Sequence, residues 1–237
     1  MSTTAVTTER RDAVLVVHLD DGKANALSFE VIAAIGAALD EAEADDDIGA
    51  MVLHGRPGRF SGGFDLGVMF GDDMSAIINL VADGGALVHR LYGSSVPVVA
   101  ASTGHALAAG ALVLLGCDVR IGADIDAKVG LNEVAIKMVL PDWALTISAD
   151  RLSKRHFQRA IANARITTPR EAIDVGFLDE VVPEGDELDR AVAVAAELAA
   201  TLDPSAYVRT VRAIRGPVLD LMGEQIASDR SAGVSPR

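Results

Sequence analysis

The sequence predicts an α/β fold over its first two thirds and a helical appendage over its last third. Three observations carry this expectation. Up to about residue 150, short Val- and Ala-rich runs alternate with segments of helical periodicity. Beyond that point one helical segment follows another. Half of the 237 residues are hydrophobic but only 4% are aromatic, so a sizeable core must be built from Ala, Val, Leu and Ile.

Taken in order, Val14 to Leu19 reads as a strand, rich in Val and closed by Asp20, Asp21 and Gly22. Ser28 is the expected N-cap of a helix whose Val31, Ile32, Ile35 and Leu39 share one face. The acidic run Glu41 to Asp47 ends that helix as a solvated terminus. Gly49 to His54 reads as a second strand and Gly55 to Gly63 as a glycine-rich loop. Residues 73–92 look helical, with an interruption at Gly84-Gly85. Val96 to Ala101 is a short buried strand, its Pro97 near the start. Gly104 to Gly116 is apolar throughout, as a buried helix would be, and Val119–Ile121 and Lys128-Val129 read as short strands.

The helices expected afterwards are Arg155–Ala164, Thr168–Val175, Glu187–Leu202 and Ser205–Arg215. Thr168-Pro169-Arg170-Glu171 carries an N-cap, a proline at the first helical position and a capping-box glutamate. The tail from Ser231 to Arg237 is expected to fray.

Composition narrows the function classes. A net charge of −13 argues against a nucleic-acid partner or an anionic membrane surface, both of which need basic patches. The same charge requires any polyanionic ligand to find local basic groups or to leave its phosphates in solvent. The lone cysteine, Cys117, allows no intrachain disulfide and fits a cytoplasmic setting. Met1 to Arg11 is polar and shows no apolar signal-peptide region. The apolar stretches are broken by Gly, His and Asp, so no membrane span is expected. Five histidines are scattered without close pairing to one another or to Cys117, so no metal site is expected.

Two segments have the makings of a site. One is Arg59-Phe60-Ser61-Gly62-Gly63-Phe64-Asp65-Leu66; the other is Ser102-Thr103-Gly104-His105-Ala106-Leu107-Ala108-Ala109-Gly110. The second follows a buried strand and opens a buried helix. A turn of small residues there leaves N–H groups unpaired at the helix start, where the helix dipole favours negative charge. A further N–H from the glycine-rich loop would complete a two-donor oxyanion hole. Either segment alone also fits an ordinary turn.

Together these motifs resemble the crotonase, or enoyl-CoA hydratase/isomerase, superfamily from about Val14 to Pro183. Val96-Pro-Val-Val-Ala-Ala with its glycine turn and Cys117-Asp118-Val-Arg-Ile resembles the family's central signature. Phe60-Ser-Gly-Gly-Phe-Asp-Leu resembles its first oxyanion loop. Asn25-Ala-Leu-Ser and the stretch from Ala172 to Pro183 are similar to further family segments. The resemblance implies a spiral core of ββα units over 1–183 and a helical trimerisation region over 184–237. It further implies an acyl-CoA thioester as ligand, no separate cofactor, and a homotrimer or a dimer of trimers. By position it places the oxyanion donors at the backbone N–H groups of Phe64 and Ala109. It places Lys23, Ala24, Ala26, Gly62, Asp65, Leu66, Leu112 and Trp143 along the substrate, with Arg59 near the coenzyme A side.

The acid–base pattern departs from that of hydratases. Hydratases of the family use two glutamates, and the first of those positions here is Leu112, which cannot hold a water. The second falls on Glu133. Gly130-Leu-Asn-Glu with Leu-Pro-Asp-Trp-Ala-Leu at 140–145 is similar to mitochondrial-type Δ3,Δ2-enoyl-CoA isomerases, which also carry an apolar residue at the first position. Moving a double bond needs one base that takes a proton from C2 and returns it at C4, and a single carboxylate can do both. A carboxylate facing an apolar pocket should have a raised pKa. Hydration through Glu133 alone and a non-catalytic acyl-CoA binder are the alternatives.

The remaining polar residues read as structural. Those are His105 in the oxyanion turn, Asp65 as a loop brace, Asp118 and Arg120 as a candidate ion pair, and Cys117 as a small buried hydrophobe.

Overall fold

The computed structural model describes residues 5–232. β1 (Val6–Arg11) runs antiparallel to β2 (Val14–Leu19). From β2 onward the chain repeats one unit: a strand of a large sheet, a short strand set apart from it, then a helix. The first turn is β2, β3 (Ala26–Leu27) and α1 (Phe29–Ala44). The second is β4 (Ala50–His54), β5 (Gly58–Ser61), β6 (Gly63–Phe64), α2 (Leu66–Met69) and α3 (Met74–Tyr92). The third is β7 (Val98–Ser102), β8 (Gly104–Leu107) and α4 (Ala109–Gly116). The fourth is β9 (Val119–Ala123), β10 (Val129–Gly130), a 3₁₀ turn (Glu133–Ile136) and α5 (Asp142–Arg151). Then come α6 (Lys154–Ala160), α7 (Pro169–Val175), β11 (Glu180–Val182), α8 (Glu187–Thr201) and α9 (Pro204–Ala232). This is the spiral of ββα units with a helical C-terminal region that the resemblance implies.

The large sheet has the order β1-β2-β4-β7-β9-β11 and is parallel apart from β1. Both of its faces are covered, so its strands are almost uninterrupted hydrophobic runs. Leu15, Val17, Met51, Leu53, Val98 and Ala100 face the main core with α1, α3 and α4. Val14, Val16, Ala50, Val52, Val99 and Ala101 face Ala191 and Ala195 of α8. That helix lies close because its surface is alanine. A Cβ added at Gly49 would stand 2.6 Å from the Ala199 Cβ.

Local signals were decisive where the chain closes on itself. Ser28 caps α1 by accepting from the Val31 N–H at 3.3 Å. Thr168 and Glu171 form the reciprocal capping box, and Gly176 in the left-handed region (φ 101°) ends α7.

Long-range partners changed several expectations. Gly55 to Gly63 is not a plain loop: it contains β5, which is held by β8. Gly104 to Gly116 is not one helix, because Gly104–Leu107 pairs with β5 and β10 before α4 begins. Gly84-Gly85 does not interrupt α3, which runs through both. β1, α5 and β11 had no clear sequence signal, and α9 continues to Ala232. Ser231 belongs to that helix, and the tail beyond Ala232 lies outside the described residues.

Asp118 and Arg120 do not pair with each other. Arg120 is 4% exposed and bonds Asp179 through Nε and Nη2 at 2.8 and 2.7 Å. Asp118 accepts instead from Arg215 of α9 at 2.7 Å and from the Tyr207 hydroxyl at 3.1 Å. Asp118 precedes β9 while Arg120 lies within it, and each finds a partner far along the chain, Asp118 on α9 and Arg120 at Asp179. Cys117 is fully buried, its Sγ donates to the Val113 carbonyl, and burial pushes its thiol up to about 12.

Candidate active site

The sheet β10-β8-β5 is parallel, and each of its strands runs into the wall of one cavity of about 530 Å³. Gly62 and Phe64 follow β5, Leu107 and Ala108 end β8, and Asn132 and Glu133 follow β10. Leu112 of α4 and Trp143 of α5 close the buried side.

The first segment is bent by Gly63, whose φ is 100°. Asp65 N–H donates to the Leu27 carbonyl at 3.2 Å. Successive N–H groups on a strand alternate in direction, so the Phe64 N–H turns away from β3. A Cβ at Gly63 would lie 3.0 Å from the Ala108 Cβ and 3.4 Å from the Ala109 nitrogen. The absence of a side chain there lets the two turns touch.

In the second segment, Ala108 takes a positive φ of 51° at the start of α4. The N–H groups of Ala111 and Leu112 donate back to its carbonyl at 2.9 and 3.2 Å. Those of Ala109 and Gly110, one step earlier, have no intrahelical carbonyl to reach. The strained turn therefore presents bare donors beside the Phe64 turn.

Glu133 opens the 3₁₀ turn and is 8% exposed. Its Oε2 is buried without a hydrogen-bond partner. Burial raises its carboxyl to about 7. It is the only ionisable residue in the cavity wall among the described residues. Where a second carboxylate would stand in a hydratase, Leu112 presents a buried apolar side chain to the same cavity.

Of the substrate-side residues expected from the sequence, Gly62, Leu66, Leu112 and Trp143 line the cavity. Lys23, Ala24, Ala26 and Asp65 do not. The Ala24 carbonyl accepts from Gly62 N–H at 2.8 Å, and Ala26 sits beside Gly63 in the β3–β6 ladder. The Lys23 carbonyl accepts from Arg56. Asp65 caps α2 by accepting from Gly67 N–H at 2.7 Å, the bracing role expected of it. His105 is likewise a brace: its Nδ1 accepts from Lys128 N–H at 2.9 Å and ties β8 to the strand that follows.

Sequence reasoning missed Asn132, Phe70, Ile136 and Val139, which also line the cavity. It also missed what Gly84 and Gly85 do. A Cβ at Gly84 would lie 2.3 Å from the Phe64 ring, and one at Gly85 would lie 2.8 Å from the Trp143 indole. The paired glycines are flat seats in α3 for two rings of the cavity wall. Paired glycines inside a helical segment are a signal of close approach. Gly85→Ala should therefore cost about 1–3 kcal/mol in urea unfolding by overpacking. It should also raise KM by displacing Trp143. An unchanged midpoint and KM would mean that the ring has slack.

A family model described as enoyl-CoA hydratase/isomerase matches residues 9–229. The chain belongs to the enoyl-CoA hydratase/isomerase family. It is an enzyme of that family acting on an acyl-CoA thioester. Over 202 residues it is 33% identical to mouse "Enoyl-CoA delta isomerase 1, mitochondrial", covering 84% of this chain and 70% of that protein. Over 199 residues it is 33% identical to a "Putative enoyl-CoA hydratase" of Thermus thermophilus, covering 78% and 74%. Among solved structures, an enoyl-CoA hydratase/isomerase family protein from Pseudomonas syringae superposes with a TM-score of 0.92 at 39% identity, covering 97% of this chain and 98% of that one. Human mitochondrial delta3-delta2-enoyl-CoA isomerase superposes with a TM-score of 0.90 at 29% identity, covering 97% and 90%. The fold of this enoyl-CoA hydratase/isomerase family member is thus the crotonase fold. Among the described residues Glu133 is the one ionisable residue in a largely apolar wall, with Leu112 lining the same cavity.

Proposed function

We propose that the protein shifts the double bond of a 3-enoyl-CoA to the 2-position. The observation that carries this reading is the single buried carboxylate of Glu133 in an otherwise non-ionisable cavity whose wall also contains Leu112. The thioester oxygen would accept from the Phe64 and Ala109 N–H groups, which stabilise the charge that develops there. Glu133 as carboxylate takes a C2 proton, and the electron pair spreads over the thioester oxygen and C4. The now protonated Glu133 returns the proton at C4, and the dienolate collapses to the 2-enoyl thioester. The reaction is redox-neutral and adds no atom, so no further cofactor enters it. A carboxyl with a pKa of about 7 exchanges its proton readily in both directions. Lys23, Ala24 and Ala26 would meet the substrate outside the acyl cavity, with Lys23 and Arg59 near the coenzyme A side, while Asp65 braces the loop. The assembly we propose is a homotrimer or a dimer of trimers formed through 184–237. Similarity to proteins named delta isomerase supports double-bond migration, while similarity to proteins named hydratase supports water addition as a second reading.

The purified protein is offered a 3-enoyl-CoA and a 2-trans-enoyl-CoA, following conjugated thioester absorbance and product mass. Gain of conjugation without mass change is the expected result. Loss of conjugation with addition of water would replace the isomerase reading by hydration. Glu133 must be ionised to begin. Hence kcat/KM for migration should rise about tenfold per pH unit below about 7 and level off above it. A flat profile from pH 5 to 9 would remove Glu133 from the proton-transfer step.

A further inference from the structure

The cavity does not stop at Glu133. On its solvent side the wall is finished by Leu66, Phe70, Ile136 and Val139, which are 63%, 72%, 47% and 90% exposed. Single exposed hydrophobics are ordinary. A cluster continuous with an apolar cavity marks a surface that a ligand or partner covers. Leu112, Leu140 and Trp143 in the same wall are buried, so Leu66, Phe70, Ile136 and Val139 form its solvent-exposed apolar edge. Asp72 and Asp73 are exposed just beyond Phe70. With the exposed Lys137 beside Ile136 outnumbered by these two carboxylates, this side offers the phosphates of coenzyme A no net attraction and suits the hydrocarbon end of the ligand.

We propose that the rim of Phe70 and Val139 seats the distal carbons of the acyl chain, so that the protein selects medium- to long-chain acyl thioesters over short ones. This rests on acyl-CoA as the ligand and not on double-bond migration. The thioester end is held in the cavity, and each methylene beyond it trades water for the apolar rim. Full burial of a methylene is worth about fourfold in affinity, and a half-covered rim about twofold.

The test is calorimetric titration of the full chain with butanoyl-, octanoyl- and tetradecanoyl-CoA below their micelle concentrations. These saturated esters bind without reacting. Affinity should rise from butanoyl to octanoyl, and by at least about tenfold more from octanoyl to tetradecanoyl. In the double variant Phe70→Ser, Val139→Ser that last ratio should fall below about threefold. In Ile173→Ser, an exposed apolar position on α7 away from the cavity, it should stay as in the wild type. Equal wild-type affinity for octanoyl and tetradecanoyl esters would overturn the proposal. So would a double variant that keeps the ratio, including one that instead lowers the oligomer mass, since a second copy would then cover the rim. Chain-length-dependent binding with no turnover would sink the isomerase reading alone. Turnover with flat binding would sink the rim alone.

Discussion

Glu133→Gln is expected to lower kcat for double-bond migration by about 100- to 10,000-fold, and at the same time to make the protein more stable at pH 8. The loss follows from removing the one ionisable group that lines the cavity among the described residues. The gain follows from burial. The folded carboxyl has a pKa of about 7 against an ordinary value near 4.5, so between those values the folded chain keeps a proton that the unfolded chain releases. The contribution is fully present below about 4.5 and is lost as pH rises through 7. By pH 8 the difference amounts to about 3 kcal/mol, the cost of an ionised carboxylate whose Oε2 has no partner. Glutamine has no charge to bury and avoids that loss. Urea midpoints of the two proteins should coincide near pH 4.5, separate progressively as pH rises from 4.5 to 7, and stay apart by a constant amount above it. Coincident midpoints at pH 8, or turnover within a few-fold of the wild type, would remove Glu133 from its assigned role.

Asp118→Ala should be the most destabilising single truncation outside the cavity, by about 3–5 kcal/mol in urea unfolding. The side chain of Arg215 is 11% exposed and lies 4.5 Å above the Tyr92 ring, with Nη1 donating to the Tyr92 carbonyl at 2.9 Å. Its charge is met by Asp118 at 2.7 Å. The same carboxylate accepts from the Val98 N–H at 2.8 Å and the Tyr207 hydroxyl at 3.1 Å. Removing it strands a buried cation and two donors together. The double variant Asp118→Ala, Arg215→Met should recover much of the loss, because the unpaired charge goes with its partner. A double variant no more stable than the single one would show that the carboxylate's bonds to Val98 and Tyr207 carry the cost.

What the sequence disclosed divides by the distance over which each feature is determined. The Val14–Leu19 strand, the Ser28 cap and the Thr168 capping box depend on neighbours a few residues away, and all three were legible. β5 is four residues long and exists because β8 lies beside it, so it read as loop. Arg120 finds Asp179 across 59 positions, which no local pattern announces. In the candidate site, Phe64, Leu112, Glu133 and Trp143 were legible through motif order and meet around one cavity. The rim residues Phe70, Ile136 and Val139 were not. Their hydrophobicity is unremarkable in sequence and acquires meaning only when α2 and the 3₁₀ turn are brought together.

The way β5, β8 and β10 each end at the cavity has a consequence for how the protein comes to exist. Its donors and its base are delivered by three successive turns of the spiral, held together by pairings between residues far apart in the chain. Such contacts carry a high loop-closure entropy and form late. A nascent chain released after α4 already has both oxyanion turns but lacks the β10 strand that leads to Glu133. During refolding, turnover should therefore return with the last cooperative phase and not with early helix formation.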